Sequence, residues 1–74
     1  MKTKNEITYM DMVEGLRSKI TACRIEIEAL KEERQYAEDR FQTDYDDMIG
    51  EQYDEIHRLY QMIHNLQEVY REVR

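Results

Sequence analysis

The chain has no proline and no tryptophan, two glycines (Gly15 and Gly50) and one cysteine, Cys23. Each shortage excludes something. Without proline, nothing obliges a helix to break. One thiol cannot close an intrachain disulfide, so nothing calls for an oxidising compartment. No apolar run exceeds two residues, as at Met12-Val13, whereas a bilayer span needs about 20. The first residues also lack the apolar stretch of a secretory leader. A cytoplasmic protein that does not enter a membrane is expected. The chain contains no glycine-rich phosphate loop, no nucleophile–base constellation and no Cys/His cluster, so no enzyme and no cofactor are expected.

What is present favours helix. Glu, Lys, Arg, Gln, Met and Leu are plentiful, and 38% of the 74 residues are charged. These side chains lose little rotamer freedom in a helix and solvate long helix faces. The net charge of −6 opposes direct binding to nucleic-acid phosphates. The excess is concentrated in residues 38–55, where Arg40 stands against Glu38, Asp39, Asp44, Asp46, Asp47, Glu51, Asp54 and Glu55.

Two heptad seams run through the chain. The first is Tyr9, Val13, Leu16, Ile20, Cys23, Ile27, Leu30, Arg34, Ala37, Phe41, with Val13, Ile20, Ile27, Arg34 and Phe41 at position a. The second is Tyr45, Ile49, Gln52, Ile56, Leu59, Ile63, Leu66, Tyr70, Val73, with Ile49, Ile56, Ile63 and Tyr70 at a. The seams are one residue out of phase. The change falls where Thr43 can cap a new helix and Asp44, Asp46 and Asp47 suit its first turn. Thr3-x-x-Glu6 reads as a capping box at the chain start, and Arg71 and Arg74 suit the last turn.

These signals predict one domain over residues 1–74. Its first helix covers about 5–41, its turn 42–44 and its second helix about 45–73. The fold class is all-α, an antiparallel coiled-coil hairpin expected to dimerise into a four-helix bundle. The alternative is a pair of unbroken helices lying antiparallel, each about 105 Å long at 1.5 Å per residue. A reversal at Thr43 sets residue i opposite 86 − i. Cys23 then meets Ile63, and polar Arg34 meets polar Gln52 in a layer that would set the register. Mirror centres for two heptad series recur every 3.5 residues, so the pairing by itself carries little weight.

The seams are flanked differently. Arg17, Arg24 and Lys31 occupy e in the first helix, and Lys19, Glu26 and Glu33 occupy g. The second helix carries Tyr53 and Tyr60 at e, and Met48, Met62 and Val69 at g. Arg24 is expected to stack on Tyr60 and Lys31 on Tyr53. The second helix still has more apolar surface than one neighbour covers. Met48, Tyr53, Tyr60, Met62 and Val69 are therefore the expected partner interface of a regulator or inhibitor that binds other proteins and itself. The acidic block supports an alternative, a decoy that mimics a phosphate track on a DNA- or RNA-binding protein.

The remaining constellations read as structure. His57 and His64 are one heptad apart, about 10 Å along a helix, too far to share a metal unaided. Cys23 sits on the seam as a small hydrophobe. Asp44, Asp46 and Glu55 imitate the outer ligands of a calcium loop, but Met48 and Ile49 stand where a ligand and the tight-turn glycine belong.

Overall fold

A computed structural model describes residues 4–73, with side-chain surroundings from Thr8 to Arg71. Two helices account for nearly all of it: α1, Lys4–Gln35, and α2, Asp39–Val73. They pack against each other as a hairpin. The Cα atoms fill 55 × 20 × 9 Å. The smallest extent is about one helix width, so each seam residue has cover from a single neighbouring helix.

The all-α hairpin is as expected, and the chain reverses, so the unbroken-helix alternative does not hold. The turn is not at 42–44. It lies at residues 36–38, and Thr43, the expected cap, is inside α2. The last turn of α1 tightens through two i→i−3 bonds, Tyr36 N–H to the Glu33 carbonyl at 3.1 Å and Ala37 N–H to the Arg34 carbonyl at 3.2 Å. Gln42 Nε2 then donates to the Ala37 carbonyl at 3.5 Å, capping the end of α1 from α2. Among the described residues none has a positive φ. The reversal therefore requires neither glycine nor proline, and composition carries no mark of it. The capping box at Thr3 and the terminal Arg74 lie outside the described residues.

The register follows from contacts at both ends. Tyr9 stacks on Tyr70, and Ala37 meets Gln42; each pair of numbers adds to 79 (9 with 70, 37 with 42). Residue i thus faces 79 − i rather than 86 − i. This displaces each partner by one heptad and moves the mirror centre 3.5 residues towards the N-terminus. Cys23 falls opposite Ile56, not Ile63, and the Arg34–Gln52 layer does not form. Arg34 instead pairs with Asp46, Nε to Oδ1 at 2.7 Å and Nη2 to Oδ2 at 3.4 Å. A carboxylate satisfies a guanidinium better than an amide does. The observed register gains this pair and the tyrosine stack, and it leaves residues 39–44 free to be helix.

The core is one row deep. Val13, Leu16, Ile20, Ile27, Ile56, Leu59 and Ile63 form a single buried cluster, with Tyr9, Cys23, Ile49 and Leu66 packed on its margin. Leu59 is the most enclosed at 2% exposure. Phe41, assigned to the first seam by its spacing, is instead 44% exposed. It lies past the reversal, with the Arg40 guanidinium 4.6 Å from its ring centroid.

Candidate interaction surfaces

Two helices side by side form a slab with two broad faces. Position e of α1 borders e of α2 on one face, and the two g positions border the other. The five expected interface residues therefore do not form one surface, although all are exposed. Tyr53 and Tyr60 belong to the e face. Met62 and Val69 share the g face, and Met48 occupies the same heptad position nearer the turn.

On the e face, Arg24 Nη2 donates to the Tyr60 hydroxyl at 2.6 Å. The two residues meet, but through a hydrogen bond to the hydroxyl in place of the expected stack on the ring. Arg24, Ile27, Glu28, Tyr53 and Ile56 line a hollow of about 290 Å³ beside it. Lys31 does not reach Tyr53; its ammonium lies 3.9 Å from Glu28 on its own helix. The outcome is a shelf of two tyrosine rings with one guanidinium, floored by the aliphatic seam.

On the g face a larger groove of about 450 Å³ runs near the open end of the hairpin. Leu16 and Leu66 are at its floor, while Met12, Met62 and Val69 form apolar walls. Lys19 and Asn65 are its polar members, and Gly15 completes the lining. Sequence reasoning missed the α1 side of this groove. The available signals were Met12 at g and a glycine in a long helix, where it weakens the helix relative to alanine.

The acidic block divides into two sets. Glu38 pairs with Arg40 at 2.9 Å, Asp46 with Arg34 and Glu55 with Arg58. Asp44, Asp47, Glu51 and Asp54 are all exposed and follow one another at helical spacings of three, four and three. They form a carboxylate ridge on the side of α2 turned away from α1. Asp39 is exposed in the first turn of α2, where the helix dipole favours it.

His57 and His64 are exposed and border a shallow hollow with Tyr60 and Gln61. Among the described residues no group of three or more His, Cys, Asp or Glu is placed to hold a metal ion. Cys23 is a free thiol half-buried against the core cluster. No described helix is long and apolar enough to cross a membrane. Comparison with protein-family models, curated proteins and solved structures finds no match to the chain.

Proposed function

We propose that this helical hairpin is a protein–protein interaction module, a small regulator or inhibitor that docks on a partner protein through its e face. The observation that carries this reading is the grouping of Tyr53, Tyr60 and Arg24 over an aliphatic floor. Tyrosine and arginine are the residues that most often dominate binding energy when an interface closes over them. Tyr60 is already oriented by the Arg24 bond, which limits the side-chain ordering that binding would otherwise require. The test is affinity capture from the native cell, followed by binding measurements with the purified partner. Y53A/Y60A should weaken that binding at least about tenfold, or ~1.4 kcal/mol. Equal affinity for wild type and double variant would refute the assignment.

A second reading has its own observation, the Asp44–Asp47–Glu51–Asp54 ridge. It suits a basic protein surface, including the nucleic-acid cleft that an acidic decoy would occupy. Four charges across about 15 Å of helix give one every ~5 Å, sparser than the 3.4 Å spacing along a DNA strand. For that reason it ranks second. Neutralising all four to Asn or Gln should abolish a decoy's binding. Partner affinity unchanged between low salt and about 0.5 M would rule it out.

A further inference from the structure

We propose that the g-face groove is covered by the same groove of a second copy of this chain, giving a two-fold symmetric four-helix bundle. The first argument is area. The chain exposes 6077 Å², whereas a compact monomer of 9.1 kDa exposes about 4,900 Å² by the usual mass scaling. The surplus, about 1,200 Å², exceeds the ~800 Å² that each partner buries in a stable interface of standard size. A slab 9 Å thick in its Cα atoms has one layer, and stable domains are built from at least two. Stacking two slabs supplies the second layer from the material available.

The second argument is charge. Two chains of net charge −6 repel wherever carboxylates meet. The groove between Met12 and Val69 has no acid in its lining, and its single charge is Lys19. The e-face hollow includes Glu28, and the hollow beside Arg58 includes Glu51 and Asp54. At the open end of the g face like-charged copies therefore meet without facing carboxylates, since Glu26, Glu33 and Glu55, at g nearer the turn, lie outside the groove. The Lys19 stem can lie along the seam with its ammonium in water. An isologous contact also needs a patch that complements itself. Unbranched Met12 and Met62 adapt to each other's shape, and Val69 is 56% exposed. Gly15 lies in this groove with nothing within 4 Å of where its Cβ would be. The backbone of α1 can therefore be approached closely there.

Gly15→Arg separates self-association from folding. In the hairpin the new side chain meets open space, and glycine is replaced by a better helix former, so helicity by circular dichroism should hold or rise. In the bundle the arginine stands in the contact twice. Sedimentation equilibrium of the full chain at about 10–100 µM should report a dimer for wild type. G15R and M62E/V69E should dissociate it, weakening association at least about 100-fold, while Y53E/Y60E on the opposite face leaves it intact. A wild-type monomer at the top of that range overturns the proposal. So does a G15R chain that stays dimeric, or a dimer lost with Y53E/Y60E. The inference is independent of the partner-docking reading. A dimer whose captured partner ignores Tyr53 and Tyr60 sinks only the latter, and a monomer whose partner depends on them sinks only the dimer.

Discussion

Tyr9 and Tyr70 stack with ring centroids 4.3 Å apart and planes 17° from parallel. They close the hairpin at the end opposite its turn, one ring from each helix. Such aromatic pairs contribute about 0.5–1.5 kcal/mol beyond the area they bury. Tyr70→Ala should therefore loosen the terminal turns of both helices before the centre. Hydrogen exchange would show faster amides near Tyr9 and Tyr70, with protection around Ile20 and Leu59 nearly unchanged. Uniform loss of protection along both helices would mean that the stack is part of a single cooperative unit.

Cys23 is the only thiol in the sequence, so one introduced cysteine is enough to report the register. Facing 79 − i, it lies opposite Ile56; facing 86 − i, it would lie opposite Ile63. Ile56→Cys and Ile63→Cys remove comparable buried side chains, 9% and 6% exposed. A short bismaleimide reagent should join Cys23 to position 56 within one chain. Position 63 is one heptad away, about 10 Å along the helix, and should react poorly. The reverse preference would restore the register centred on Thr43.

The Arg34–Asp46 pair is partly solvated, with side chains 39% and 55% exposed. An exposed pair of this kind contributes about 0.2–1 kcal/mol, so its role is to favour one register over another and not to supply bulk stability. A double-mutant cycle with R34A and D46A should give a coupling within that range at low salt. Coupling should fall as salt rises, since charges this exposed are screened. No coupling at any ionic strength would remove the pair from the account of why the turn sits at 36–38.

Burial should dominate the response to truncation. Leu59→Ala empties the most enclosed site in the seam and should destabilise the hairpin by about 2–5 kcal/mol, which for so thin a core approaches the whole folding free energy. Ile25 is 66% exposed, and Ile25→Ala should change stability by less than ~0.5 kcal/mol. Thermal melts followed by circular dichroism would check both. Similar losses at the two sites would show that Ile25 is covered in solution by something the isolated hairpin does not have.

The amino-acid sequence by itself determined the all-helical class, the heptad letters of the residues that form the buried seam and the antiparallel return. Those properties depend on periodicity, and periodicity is local. The tertiary structure alone decided which heptad faces which. A slip of seven residues leaves every letter in place, so Ile56 and Ile63 are interchangeable opposite Cys23 as far as pattern is concerned. The choice came from the chemistry of particular side chains, which the repeat does not encode: the tyrosine stack at one end, Asp46 beside Arg34 near the other, and a turn at 36–38 closed by i→i−3 bonds and Gln42. The division of Tyr53 and Tyr60 from Met62 and Val69 is of the same kind. Along one helix they read as a single wide stripe, and once a second helix lies on the seam between them they become two faces pointing opposite ways.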